Sequence, residues 1–387
     1  MTVEQRRAAG VFVAGYCTFV NLYTPQAFLP TLAADLHTSA TSVGLSITVT
    51  LLAVALMAPI AGAISDRLGR KRLIVGACLL LVIPTLLVAN SATLQTLLVW
   101  RFAQGLLLPF IFTVTVAYVA DECTGPEAIR VSGLYASGTI FGGFSGRFIG
   151  GFVADAAGWQ AVFMVLASLT AIGAGFVIWA MPTEKRFKPM SGGLGATLRA
   201  YSEHLHNNRL LATCVVGFGV LFATVACFTF VNFKLAAPPF NLSPSLLGSV
   251  FVVYLLGMVT APLSTRAAVR IGRVRALMVA MVSAAVGVVL TMSGTLTLII
   301  GGLALFVSGV FVAQALSLGF IGAAVPRARS SAVGLYVTIY YIGGALGGEL
   351  PGGLWHTFGW PGVVGLILIV IAVMAVAGGR GWRPLAT

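Results

Sequence analysis

Among the charged side chains of this chain, Glu349, Arg101 and Arg147 fall inside stretches that are otherwise apolar. A carboxyl group surrounded by hydrocarbon is held toward its neutral form, so it can take up and release a proton near neutral pH. Glu349 is therefore the leading proton-coupling candidate, with Asp35 second; the competing role for Glu349 is that of a fixed partner for Arg147 or another donor. An arginine at such depth is costly and normally faces a cavity or a partner. Arg101, with Gln104 on its face of the helix, is read as lining a polar path, against snorkelling to the headgroups. Arg147 is read as a gating or anion-recognition residue, against a structural ion pair. Asn21, Tyr23, Gln26, Asn232, Gln314, Tyr336, Tyr340 and Tyr341 are further candidates for that path. About half of these are expected to act only as glue between helices, as polar groups in lipid also do.

Other chemistries lack their residues. A membrane-embedded enzyme needs catalytic groups clustered at bilayer depth, and the chain offers no paired acids, no histidine ligand set and no nucleophile motif. His37, His204, His206 and His356 fall in loops or at helix ends, which speaks against a buried zinc or haem. Cys17, Cys78, Cys123, Cys214 and Cys227 sit in or beside apolar segments without paired spacing and read as small apolar packing residues. No cofactor and no metal is implied.

The elements that must position these residues are set by lipid. Charged residues make up 9% of the 387, against 58% hydrophobic, whereas a soluble domain keeps roughly a quarter charged. A span needs about 20 predominantly apolar residues. Twelve segments qualify: 8–30, 42–65, 72–90, 94–120, 128–153, 159–181, 210–235, 244–265, 274–293, 296–322, 330–354 and 360–378. Pro25 and Pro30 are expected to bend and then end the first. The polar, basic stretch 182–209 reads as a linker, giving bundles at 1–181 and 210–387. The halves repeat each other. At an offset of 201, Gly142 falls on Gly343, Gly143 on Gly344, Gly146 on Gly347 and Trp159 on Trp360. The tetrapeptide TFVN occurs at Thr18–Asn21 and again at Thr229–Asn232. Parallel six-helix repeats with a site at the midplane are a transporter architecture.

The net charge of +13 does not point to nucleic acid. Of 23 basic residues, 20 fall on one side of the predicted spans; the others are Arg101, Arg147 and Lys234. Cytoplasmic loops are enriched in Lys and Arg, so both termini are expected in the cytoplasm. The first span carries no small-residue cleavage site and reads as retained.

The loop after the second span reads Gly62-Ala-Ile-Ser-Asp66-Arg67-Leu-Gly69-Arg70-Lys71-Arg72. It resembles the signature loop of the major facilitator superfamily, G-x-x-x-D-R-x-G-R-[RK], in the position that family gives it. Arg266 to Arg275 looks like a decayed copy without the acid. The resemblance covers essentially the whole chain. It implies an all-α membrane protein of two pseudo-symmetric six-helix bundles, and a latch on the cytoplasmic side. In that latch Gly69 permits a tight turn, Asp66 approaches the N-terminal end of the eleventh helix, and Arg70 pairs with Asp121 or Glu122. Arg101-Phe-Ala-Gln104-Gly105 resembles the R-x-x-x-G motif common in the drug/proton antiporter branch. The fifth span, with Gly138, Gly142, Gly143, Gly146, Gly150 and Gly151, matches that branch's glycine motif loosely and lacks its proline. Its Gly143-Phe-Ser-Gly146-Arg147 looks like an efflux-type subgroup with G-[MF]-S-G-R on this helix.

Together these readings lead us to expect a secondary active transporter, working by alternating access as a monomer in a bacterial inner membrane. The expected substrate is a small organic solute, and protons are the expected coupling ion. Export of a drug or metabolite is expected first, with import or facilitated passage of a small organic anion as the alternative. Arg101 and Arg147, as the deepest charges, favour a neutral or anionic substrate over a cation.

Overall fold

The computed structural model describes residues 1–185, 187, 194–325 and 329–382. Arg186, Lys188, Arg327 and Arg383 of the basic set, and the middle of the 182–209 linker, lie outside them. Within a bilayer each backbone N–H and C=O must be satisfied internally, which leaves helices as the economical answer for apolar segments of this length. No strand occurs among the described residues.

Twelve helical segments in the place of the expected spans can be traced among the described residues. The first, α1, is Val3–Leu22, followed by a 3-10 turn, Thr24–Phe28, and a short helix, Leu29–Asp35. Next come α2 (Ala40–Leu68), α3 (Arg70–Ala89) and α4 (Leu94–Glu122). The hydrogen-bonded run Gly125–Ala180 breaks at Gly158, whose φ is +81°, giving α5 (125–157) and α6 (159–180). A linker helix, Leu194–His204, leads to α7 (Asn208–Ala236). The next span, α8, is built from Pro244–Val250, a 3-10 turn Phe251–Leu256 and Gly257–Ile271; α9 is Arg273–Leu290 and α10 Leu296–Ala324. Arg329–Glu349 forms α11, which resumes after Leu350. The run Pro351–Gly381 breaks at Gly359, φ +61°, and α12 is 360–381.

The repeat is visible in the breaks. Gly158 and Gly359 are mates at the offset of 201 and take the same left-handed backbone region, which costs an L side chain strain but glycine little. Gly69 and Gly272, 203 apart and ahead of α3 and α9, also take positive φ, at +92° and +84°. The glycine spacing does the packing. A methyl group on Gly142 would stand 2.6 Å from the Tyr16 carbonyl oxygen, and one on Gly347 would stand 2.4 Å from that of Phe222. So α5 lies backbone-to-backbone on α1, and α11 on α7, as small residues at four-residue spacing allow.

That packing also corrects one reading. Gly142 and Gly146 meet Tyr16 and Val20, whereas their mates Gly343 and Gly347 meet Phe218 and Phe222. Structural equivalence between α1 and α7 therefore runs at an offset of 202, and the two TFVN tetrapeptides, 211 apart, are out of register. The correspondence of the helices stands; that of Asn21 with Asn232 does not.

The chain forms two compact units. One comprises Met1–Ser39, Val49–Leu194 and Leu242–Phe251; the other Ala40–Thr48, Gly195–Asn241 and Val252–Thr387. In the first, the start of α8 packs on α5: a methyl on Gly248 would stand 2.8 Å from the Arg147 carbonyl oxygen, and Ser245 Oγ donates to Asp155 Oδ2 at 2.5 Å. In the second, the start of α2 packs on α11: Thr48 Oγ1 donates to the Ala345 carbonyl at 2.9 Å, and a methyl on Gly44 would stand 2.9 Å from the Gly348 oxygen. Both α2 and α8 thus pass from one unit to the other within a single span.

Candidate functional site

Two polar centres in the first unit grow from the same local event, the break in α1. Pro25 has no N–H to continue the helix, and the chain turns through 3-10 geometry over Thr24–Phe28. Pro30 does not end the helix, as the sequence suggests. It stands at the start of Leu29–Asp35, where its fixed φ and missing N–H are harmless.

The first centre satisfies the carbonyls that the break leaves over. Arg101 Nη1 donates to the Asn21 carbonyl at 3.0 Å and to Gln104 Oε1 at 2.6 Å, and Nη2 donates to the Leu22 carbonyl at 2.7 Å. Gln104 Nε2 in turn donates to Thr85 Oγ1 at 2.7 Å, and Asn21 Nδ2 to Thr170 Oγ1 at 2.8 Å. Arg101, Gln104 and Asn21 are fully buried. Arg101 is held by partners here. It neither lines open space nor snorkels, because the nearest unsatisfied acceptors are the carbonyls at the end of α1. The network ties α1, α3, α4 and α6 together.

The second centre holds Arg147. Its Nε and Nη2 donate to Gln26 Oε1 at 2.9 and 2.7 Å, and Nη1 donates to the Gly143 carbonyl one turn back at 2.6 Å. The guanidinium carbon lies 4.7 Å from the centre of the Tyr23 ring and 4.8 Å from that of Phe251. Arg147 is buried, with Tyr23 and Gln26. These partners are an amide oxygen, a backbone carbonyl and two aromatic faces. They hold the cation by dipole and quadrupole. Tyr23 caps α1 and Phe251 opens the 3-10 turn of α8, so both rings sit on helix breaks.

In the second unit, Tyr336, Tyr340 and Tyr341 form an aromatic cluster. Tyr336 stacks on Tyr340 at 6.0 Å, and Tyr340 meets Tyr341 edge-on at 5.4 Å. Gln314 lies beside Tyr340. Tyr336 is seated on Gly217, where a methyl group would stand 2.4 Å from its ring, so it serves helix packing. Asn232 is fully buried in α7. Glu349 is the last residue of its helical segment and is exposed, as is Asp35. Neither has the burial that the sequence argument for proton coupling assumes.

At the basic face, Arg70 Nη1 pairs with Asp66 at 2.7 Å and Nε with Asp121 at 2.9 Å. Glu122, the other expected partner, instead accepts from the Lys185 backbone N–H at 2.9 Å. Arg67 is exposed, and space is open around Gly62. One residue escaped the sequence reading. Gly69 offers α3 no side-chain cap, and Glu184 supplies it from the linker, accepting from the Arg70 and Lys71 N–H groups at 2.8 and 3.2 Å. A carboxylate there complements the helix dipole. Glu184→Gln is expected to lower stability by about 1 kcal/mol, the usual worth of a lost cap. Thermal unfolding in detergent reads it, and an unchanged midpoint would contradict it.

Geometry of this kind accords with what comparison shows. The sequence profile of the Major Facilitator Superfamily matches residues 11–238. The chain belongs to the Major Facilitator Superfamily. It is similar to the inner membrane transport protein YnfM of Escherichia coli (strain K12), 30% identical over 98% of this chain and 91% of that protein. It is also similar to the MFS-type transporter YybF of Bacillus subtilis (strain 168), 27% identical over 94% and 90% of the two chains. Among solved structures, the fold matches a bacterial homologue of the human lysosomal transporter Spinster with a TM-score of 0.77 at 15% identity, covering 97% of this chain and 96% of that one. The nucleoside transporter NupG matches at 0.75 and 16% identity, covering 99% and 100%. This superfamily member is thus a multi-pass membrane transporter and not an enzyme.

Proposed function

We propose that this transporter exports a small neutral or acidic organic solute by alternating access, driven by inward proton flow, from a bacterial inner membrane with both termini in the cytoplasm. The Arg147 cradle carries the substrate-class part of this reading: a buried guanidinium held by Gln26, Gly143 and two aromatic faces. A positive site of that kind attracts an anion and repels a cation. Tyr23 and Phe251 cover it from helix breaks, and α8 changes units between Phe251 and Val252. Export and the antiporter branch rest on the loop around Asp66, the helix 4 arginine and the glycine-rich helix 5. Protonophore-sensitive accumulation in inverted vesicles is expected; accumulation that ignores the protonophore would remove the coupling.

For coupling, Glu349 stays the first residue to test, since it marks the break between Arg329–Glu349 and Pro351. Glu349→Gln is expected to uncouple transport, leaving substrate exchange intact and losing uphill accumulation. Full uphill transport in that variant would pass the role to Asp35 or another acid. Asp66→Asn, which weakens the pairing with Arg70, is expected to slow transport without preventing membrane insertion; wild-type rates would remove the latch. The same Arg147 cradle would also suit an importer of an organic anion, and uphill entry into whole cells would decide for that reading.

A further inference from the structure

We infer that Arg209 and Arg273 form a phosphate-binding site on the basic face, occupied by the headgroup of an anionic lipid. The guanidinium carbons of these residues lie 5.1 and 4.9 Å from the centre of one ring, that of Phe320 in α10. Two like charges are thereby held within about 10 Å of each other, an arrangement that a bound anion relieves. Arg209 is the second residue of α7 and Arg273 the first of α9, so the pair stands where two helices begin. The N-terminus of the 18-residue α9, which begins at Arg273, has Gly272 as its cap residue and no side-chain cap, and helix N-termini favour anions.

The ring that both cations approach is fixed. Phe320 is buried, Trp382 lies tilted against it with ring centres 5.2 Å apart, and Trp382 Nε1 donates to Thr213 Oγ1 at 3.0 Å. The last turn of α12, with Arg380, closes against α7, where a methyl on Gly381 would stand 2.3 Å from Ala212 Cβ. Orientation in the membrane needs basic residues only on the correct face; it does not need two of them on one buried ring. A planar fork on each arginine suits phosphate oxygens. Lipid is favoured over free phosphate as the source because the same helices expose Val215, Val279 and Leu318 farther along, a surface for acyl chains. Basic pockets between spans recognise lipid headgroups by this chemistry.

The test uses purified, delipidated full-length protein, with thermal stability and native mass spectrometry as readouts. Titration with phosphatidylglycerol is expected to raise the midpoint and leave a retained lipid adduct, while phosphatidylcholine does neither. Arg209→Gln with Arg273→Gln is expected to weaken the phosphatidylglycerol response roughly tenfold or more. Arg72→Gln with Arg130→Gln, which removes equal charge from exposed positions, is expected to leave it unchanged. If the double variant does not fold, Arg273→Lys, which keeps the charge and loses the fork, is read in the same way. Equal responses in wild type and the Arg209 and Arg273 variants would overturn the site, as would equal losses in the Arg72 and Arg130 control. Stabilisation by inorganic phosphate but not by phosphatidylglycerol would overturn the lipid.

Discussion

Arg101→Leu is expected to lose the folded protein rather than change what it carries. The Arg101 guanidinium donates to Gln104 Oε1 and to the carbonyls of Asn21 and Leu22. Hydrogen bonds from a charged donor are worth about 1.5–3 kcal/mol each. The larger effect comes from what remains: two backbone acceptors at the end of a helix in a medium without water, at several kcal/mol for each unsatisfied group. Gln104 would lose its partner as well, and through Thr85 and Asn21 the loss reaches α3 and α6. The apparent midpoint in detergent should fall by roughly 10 °C or more, with poor recovery from the membrane. Arg101→Lys should be intermediate, since one ammonium can reach a carbonyl but cannot serve the two carbonyls and the amide with a planar fork. A leucine variant that melts like wild type and has lost transport would return Arg101 to the substrate path.

The architecture was legible because lipid leaves few choices. Twelve apolar stretches, the offset of 201 and the one-sided basic residues follow from composition and period, and four of the five glycines at positive φ among the described residues pair across the halves, Gly158 with Gly359 and Gly69 with Gly272. Roles of individual polar residues were less legible, for a physical reason. A sequence shows that a charge is deep; it does not show which acceptor is nearest. Arg101 and Lys234 stand off the basic face, and both serve carbonyls at helix ends: Arg101 those of α1, and Lys234 those of Thr291 and Ser293 after α9, at 2.6 and 3.0 Å. Such acceptors exist only once a helix has broken, and the position of a break depends on packing. Glu184 was hidden for a related reason, since it caps a helix that begins 114 residues earlier. Phe251 was hidden because a cation over a ring has no sequence period. Glu349 shows the converse: a polar residue inside an apolar run implies burial only where its side of the helix is packed, and Glu349 is exposed.

Arg147→Ala is expected to remove transport and to remove, with it, stabilisation by one charge class of ligand. The experiment is a ligand-stabilisation screen on the purified protein, run in parallel on wild type and variant. Acidic or neutral compounds are expected among the wild-type hits, with apparent affinity lower by ten- to a hundredfold in the variant, the range for losing a charged hydrogen-bonding partner of about 1.5–3 kcal/mol. Loss of fold must be separated from loss of recognition, because the alanine leaves Gln26 Oε1 buried without the two bonds that it accepts from Arg147. Replacing both partners by apolar groups of similar shape removes that penalty. Arg147→Met with Gln26→Leu should therefore melt closer to wild type than Arg147→Met alone. If Arg147 only braces α5 against the broken part of α1, this pair should also recover transport. If it recognises substrate, stability returns and transport does not. Phe251→Ala completes the argument, since it removes one of the two rings over the guanidinium without touching its hydrogen bonds. It should leave the fold intact and weaken discrimination between acidic and basic ligands; recovery of transport in the paired variant, or unchanged ligand classes in all three, would leave Arg147 as a brace.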